Sequence, residues 1–94
     1  MTYMVIRHKV EDYATWKSAY DEHDTTRKAM GGKGHLLLRN ADSPNELLII
    51  MEWDDLNRAK EFAGSQDLRE VMARAGVLDA PDIYFCETLE HKPS

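Results

Sequence analysis

Residues 46–55 read E-L-L-I-I-M-E-W-D-D, an almost unbroken apolar run that follows the turn-forming Ser43-Pro44-Asn45 and ends on two aspartates. Because successive side chains of a β-strand point to opposite faces, one face carries Leu47, Ile49, Met51 and Trp53, and the other carries Leu48, Ile50 and Glu52. A strand that is apolar on both faces has to be covered on both faces. A chain of 94 residues has few segments with which to build two covers. The run therefore predicts a central strand whose second face is covered from outside the chain.

Three more strands and two helical regions are predicted around this central strand. A long helix is predicted over residues 13–30, and two short helices are predicted between the central strand and Gly76. Each helix is flanked by suitable caps: Asp12 and Gly31 for the first, Asp54 or Asp55 for the second, and Ser65 for the third. The four strands are predicted at residues 2–10, 33–40, 46–53 and 82–90.

The predicted order of elements is β-α-β-β-α-β, which indicates an α+β fold of the ferredoxin-like type. Right-handed crossovers place both helical regions on one face of a four-stranded antiparallel sheet, with strands one and three in the centre. Residues 1–94 then form a single domain. The opposite face carries Val5, Leu48, Ile50 and either Tyr84 or Phe85.

An apolar sheet face of this size seldom stays exposed to water. We therefore predict a homodimer in which two such faces bury each other around a two-fold axis. The alternative is a hydrated, partly apolar sheet face.

Composition excludes several classes of function. A net charge of −5 and a pI near 5.3 lack the basic surface that nucleic-acid binding requires. No apolar run approaches the ~20 residues of a membrane helix, and the N-terminus does not resemble a signal peptide. With Cys86 as its single cysteine the chain cannot form an internal disulfide. The predicted location is the cytoplasm. The four histidines lack metal-ligand spacing, so no metal site is expected.

The long helix carries the most informative candidate residues. Its inward-facing stripe is Tyr13, Trp16, Tyr20, His23, Arg27 and Met30. His23 and Arg27 are polar where aliphatic residues are expected. A histidine transfers protons near neutral pH, and an arginine binds a carboxylate or an enolate-like oxygen. In the alternative interpretation both lie at the rim, with Arg27 bonded to the last helix carbonyls and His23 half exposed.

Three further residues complete the list of candidates. His8 shares the helix-facing side of strand one with apolar residues, where it is either a second acid/base or a core histidine bonded to a backbone carbonyl. Trp53 ends the central strand and packs in the core under either interpretation. Tyr84 is a candidate hydrogen-bond donor to a ligand.

The chain resembles the dimeric α+β barrel superfamily, and within it the antibiotic biosynthesis monooxygenase-like proteins. The resemblance rests on Glu52-Trp53 at the end of the central strand, on Ala59, Phe62 and Ser65 after it, and on a first strand that runs through Val10 into a helix. It implies a small-molecule pocket between sheet and helices in which Trp53 forms a wall for a planar aromatic substrate. Members of the superfamily include cofactor-free oxygenases acting on polyphenolic polyketides, haem-degrading oxygenases and polyketide cyclases.

Two features differ from that family's pattern. Phe62 stands where many relatives have a histidine. Oxygenase members often use an asparagine on a strand that faces the pocket, whereas Asn40, Asn45 and Asn57 lie in or beside turns and a helix start. Three hypotheses therefore stay open: a cofactor-free monooxygenase-like enzyme, a polyketide cyclase, and a non-catalytic ligand-binding or stress-associated protein. In both enzymes His23 is the acid/base, Arg27 stabilises oxyanion charge, the substrate lies near Trp16, Tyr20 and Trp53, and no cofactor is expected.

Overall fold

The computed structural model describes residues 2–93, and within them the predicted order of elements is confirmed. The elements are β1 Thr2–Lys9, α1 Tyr13–Glu22, α2 Asp24–Met30, β2 Gly32–Asn40, β3 Ser43–Trp53, α3 Leu56–Ala63, α4 Gln66–Arg74 and β4 Asp82–Glu87. The strands form one antiparallel sheet in the order β2-β3-β1-β4, so β1 and β3 are central. The helices cover one face of this sheet.

The strand register confirms the predicted faces of β3. His8 pairs with Leu47, Ile6 with Ile49 and Met4 with Met51, and all six side chains are buried. Trp53 continues this row and is fully buried. The main hydrophobic core therefore lies between the helices and the β1–β3 centre of the sheet.

The prediction of a single helix over residues 13–30 is wrong, because the chain forms two helices that meet at His23. The His23 amide donates to both the Ala19 and the Tyr20 carbonyl oxygens at 3.2 Å, which tightens the last turn of α1. The His23 carbonyl then accepts from the Arg27 amide at 3.1 Å and begins α2. Residues 23–26, H-D-T-T, are poor helix formers, which explains why the break falls there. The inward stripe continues across it.

The predicted caps are present at each helix. Asp12 and Ser65 accept hydrogen bonds from amides of α1 and α4. Of the two candidate aspartates, Asp55 caps α3 and Asp54 pairs with Arg58. Strand β4 ends three residues earlier than predicted: Glu87 already pairs with Thr2, and no described residue of β1 lies beyond that point.

Gly31 ends α2 in a left-handed backbone conformation that residues with a side chain rarely adopt. Its φ is 114°, and a Cβ there would collide with the Asp54 carboxylate. We expect Gly31→Ala to lower the free energy of unfolding by more than ~1 kcal/mol, measured by urea denaturation. Gly34→Ala is the matched control, because no heavy atom lies within 4 Å of a Cβ at that position. Equal stability of the two variants would contradict this prediction.

The sheet face that points away from the helices is apolar at its centre. The register places Leu36, Ile50, Val5 and Tyr84 in one row across all four strands, with Leu38 and Leu48 beside it. Leu36 and Tyr84 are 54% and 59% exposed. Arg7 bridges Glu46 and Asp82 at 2.9 Å on the same face. Among the described residues, no helix is long and apolar enough to cross a membrane.

Candidate functional site

A small cavity lies between the sheet and the helices, and the polar residues of the long helical region border it. Its volume is about 30 Å³, which is room for one water molecule. Most of its lining is apolar and comes from β1, β3, α3 and α4. Four polar side chains interrupt that lining: His8, Tyr20, His23 and Arg27. We call this space the inner cavity.

His23 is held by a carboxylate that no sequence pattern indicates. Its Nε2 lies 2.6 Å from Oδ2 of Asp67 in the first turn of α4. The His23 side chain is 7% exposed and that of Asp67 is 56% exposed. His23 also borders an open groove between α1 and α4 that Asp67 lines. The pair therefore connects the inner cavity with the protein surface. In the neutral ring the carboxylate favours a proton on Nε2, which leaves Nδ1 with the free lone pair.

No local signal in the sequence marks Asp67 as a functional residue. It follows the Ser65 cap, where an acidic residue already has an ordinary explanation as a charge at a helix N-terminus. It lies 44 residues from His23.

Arg27 lies inside the protein and not at its rim. The residue is 5% exposed, and its Cζ lies 3.7 Å from the centre of the Tyr20 ring. Its one carboxylate partner among the described residues is Asp24, at a long 3.4 Å. The guanidinium is thus buried and stacked, with hydrogen-bonding capacity that this single long contact leaves unused.

His8 and Tyr20 have buried polar atoms without partners. Among residues 2–93, neither ring nitrogen of His8 nor the Tyr20 hydroxyl has a hydrogen-bond partner. The backbone carbonyl bond proposed for a core histidine is therefore not formed. Burial lowers the pKa of His8 to about 4 and raises the pKa of Tyr20 to about 12. At neutral pH both groups are uncharged. The lowered pKa favours His8 as a hydrogen-bonding group over a second acid/base.

Buried His8 makes stability depend on pH. Its pKa lies below the ordinary value of 6.5, because burial outweighs the opposing charge of Asp79. The unfolded chain therefore binds more protons, so this contribution is complete above the ordinary pKa and is lost as the pH falls towards 4. We expect urea denaturation to show a loss of about 2 kcal/mol between about pH 7 and pH 5. His8→Met, which does not titrate, should lose much less; an unchanged pH dependence in this variant would contradict the assignment.

The predicted aromatic residues do not all meet at the cavity. Trp16 lines it and stacks on Tyr20, with ring centres 4.7 Å apart. Trp53 does not line it. Phe62 of α3 does so instead and packs against Trp53, with the two ring centres 5.1 Å apart. Tyr84 lies on the opposite face of the sheet. Trp53 is therefore not a wall of the inner cavity, and Tyr84 does not border it; a role of Tyr84 as a hydrogen-bond donor to a ligand elsewhere stays a prediction.

Comparisons with known proteins identify the fold. No family model and no curated protein sequence matches the chain. Solved structures do match. A candidate antibiotic biosynthesis monooxygenase from Bordetella bronchiseptica has a TM-score of 0.79 at 14% identity, covering 95% of this chain and 97% of that one. SnoaB, a cofactor-independent oxygenase from Streptomyces nogalater, has a TM-score of 0.78 at 18% identity, covering 99% and 97%.

A third such structure, a candidate antibiotic biosynthesis monooxygenase from Caulobacter crescentus, has a TM-score of 0.73 at 17% identity, covering 95% and 90%. Likeness at these identities establishes the fold. The chain therefore has the ferredoxin-like fold of the antibiotic biosynthesis monooxygenase-like proteins, as the resemblance implied.

Proposed function

We propose that this protein is a cofactor-free, monooxygenase-like enzyme that acts on an aromatic or polyketide-like substrate between the sheet and α1. The observation that carries the proposal is the combination of a histidine–carboxylate pair, a buried arginine and unpartnered polar atoms around one cavity. Buried polar groups are almost always hydrogen-bonded in native proteins. The unpartnered atoms therefore indicate a ligand that supplies the missing hydrogen bonds. SnoaB, which has the same fold, is described as a cofactor-independent oxygenase.

His23 is the proposed general base. Asp67 holds the ring through Nε2 and stabilises the imidazolium that forms after proton transfer. Because Asp67 is more than half exposed, the proton can leave to solvent through this side of the protein.

Arg27 and Tyr20 are the proposed stabilisers of negative charge on the substrate. The buried guanidinium of Arg27 interacts strongly with an oxyanion because little water screens it. The Tyr20 hydroxyl keeps its proton at neutral pH, since burial raises its pKa to about 12, and is therefore a hydrogen-bond donor.

The reaction requires a methylene group next to a phenol ring or a ketone. His23 removes a proton from this methylene, and the carbanion forms a bond to molecular oxygen. The resulting peroxide takes up a proton and then loses water to leave a carbonyl. Overall a CH₂ group and O₂ give a C=O group and H₂O, so the electrons that reduce oxygen come from the substrate.

The inner cavity must widen before an aromatic substrate can enter. Its volume of about 30 Å³ is far below the several hundred Å³ of a typical ligand site. The side chain of Trp16 and the short helix α4 are the proposed movable walls, since both border the cavity.

Oxygen consumption tests this proposal. The probe is dithranol, a dihydroxyanthrone whose activated methylene is oxidised to a carbonyl. We expect consumption of oxygen above the enzyme-free rate and one carbonyl product for each O₂. Proton exchange at the methylene without oxygen uptake would instead favour cyclase-type carbanion chemistry. Binding without either reaction would support a non-catalytic ligand-binding protein and reject the enzyme.

We also propose that two copies associate through the outer sheet faces. The row of Leu36, Ile50, Val5 and Tyr84 is apolar, and the flanking Arg7 and Glu46 supply both signs of charge to a self-complementary contact. A two-fold axis places the apolar row of one copy across the same row of the other, so a second copy is the partner that fits this face.

Native mass spectrometry should detect twice the 10.8 kDa mass of one chain. Ile50→Lys places a charge in the centre of the face and is expected to give the single-chain mass. Leu89→Lys is the control, since Leu89 is 98% exposed outside the sheet. A wild-type protein at 10.8 kDa would reject the association.

A further inference from the structure

A second cavity lies between α1 and the edge strand β2, and none of the proposed catalytic groups lines it. Its volume is about 190 Å³, and it opens to solvent. It is lined by Tyr13, Trp16, Leu37, Leu38, Arg39 and Leu47. We call this space the outer cavity.

The size and lining of the outer cavity suit one aromatic ring. An apolar cavity of about 150 Å³ is known to bind benzene. Tyr13, Trp16, Leu37 and Leu47 lie on the helix-covered side of the sheet, so the walls can take up a planar apolar group; Leu38 borders the cavity, but the register places its side chain on the other face.

Arg39 adds a charge preference to this apolar site. Its Cζ lies 4.7 Å from the centre of the Tyr13 ring, which holds the planar guanidinium at the cavity. Among the described residues, Arg39 has no carboxylate partner. Stacking uses the face of a guanidinium and leaves the N–H groups at its edge free for a carboxylate or phenolate.

Trp16 separates the two cavities, because among residues 2–93 it alone lines both. Its ring stacks on Tyr20 on one side and makes a tilted contact with Tyr13 at 6.1 Å on the other. The proposed function already makes Trp16 a movable wall, and its rotation is the proposed connection between the outer cavity and the inner one. With that connection open, a ring held at Arg39 would lie on a route to His23 and Arg27.

We propose that the outer cavity is a binding subsite for an aromatic ring with an anionic substituent, which Arg39 binds. The subsite rests on the proposed function in one respect: its role as the approach to the reacting groups. Ring binding itself does not require turnover. The substrate class that follows is a planar aromatic compound bearing a carboxylate or an ionised phenol.

Benzoate is the probe, and benzamide is its neutral counterpart. The indole N–H signals of Trp16 and Trp53 are followed by NMR and assigned with Trp16→Phe. We expect benzoate to shift the Trp16 signal with millimolar affinity, since so small a ligand gains little free energy. Arg39→Gln should weaken benzoate binding about three- to tenfold. Benzamide should bind the wild type about as weakly as benzoate binds Arg39→Gln, because it lacks the negative charge. Arg69→Gln is the control, because it removes the same charge from an exposed position on α4.

Each outcome bears on the subsite separately from the proposed function. Weakening in Arg39→Gln but not in Arg69→Gln supports the subsite, whether or not dithranol is oxidised. No shift of the Trp16 signal at millimolar benzoate would overturn it. Equal binding of benzoate and benzamide, or equal loss in both arginine variants, would overturn the role of Arg39. Failure of the oxidation assay with intact benzoate binding would reject the enzyme alone.

Discussion

His23→Ala is expected to lower kcat/KM for dithranol oxidation by about 10²- to 10⁴-fold, the usual contribution of a positioned acid/base. Within the part of the chain that the structure describes, the variant removes the one candidate base that borders the inner cavity and contacts a solvent-exposed carboxylate. Turnover is measured by oxygen uptake over the enzyme-free rate. Circular dichroism and a thermal melt confirm that the fold is kept.

The matched control is His91→Ala, which removes an exposed histidine from the C-terminal segment. Asp67→Asn tests the partner: without the carboxylate the ring loses its orientation and the imidazolium loses its stabilising charge, so kcat should fall while KM changes little. Unchanged turnover in His23→Ala would remove the acid/base role. A loss in that variant with an unaltered kcat in Asp67→Asn would assign catalysis to His23 and a purely structural role to Asp67.

Trp53→Ala is expected to lower the free energy of unfolding by about 3–5 kcal/mol, the range for deletion of a large buried aromatic ring. Trp53 is fully buried, ends the central strand and packs against Phe62 at 5.1 Å. The loss is a large share of the ~5–15 kcal/mol that stabilises a typical domain. Urea denaturation measures it, and absence of a cooperative transition would also meet the expectation.

Trp53→Phe and Leu89→Ala show whether this loss comes from packing. Phenylalanine keeps a ring in the core and removes a buried indole N–H that has no partner among residues 2–93, so its cost should be well below that of alanine. Leu89 is 98% exposed, and its replacement by alanine should change stability by less than ~0.5 kcal/mol. A loss below ~1 kcal/mol in Trp53→Ala would show that the core does not depend on this ring.

Local physical chemistry accounts for the features that the sequence predicted correctly. Alternation along a strand has a period of two, so the buried face of β3 can be read directly from residues 47–53. Caps depend on residues within one turn, so Asp12, Gly31 and Ser65 were identifiable as helix boundaries. The order of elements and the handedness of crossovers then leave few topologies, and the ferredoxin-like sheet is one of them.

The candidate site was predictable only in part. His23 and Arg27 stand at helical spacing from Trp16 and Tyr20, so their inward direction follows from the chain. The break between α1 and α2 at His23 did not follow, because the inward stripe is compatible with one continuous helix.

Contacts between distant segments decided the rest. Asp67 reaches His23 across 44 residues because α4 packs beside α1, and no local pattern records such a contact. Phe62 takes the place at the cavity expected for Trp53, since α3 inserts its side chain there. The sequence by itself determined which faces are apolar and, except at the break at His23, where the helices begin and end. Tertiary packing alone decided which polar groups meet and how much space remains between them, because both depend on how side chains from separate elements fill one volume.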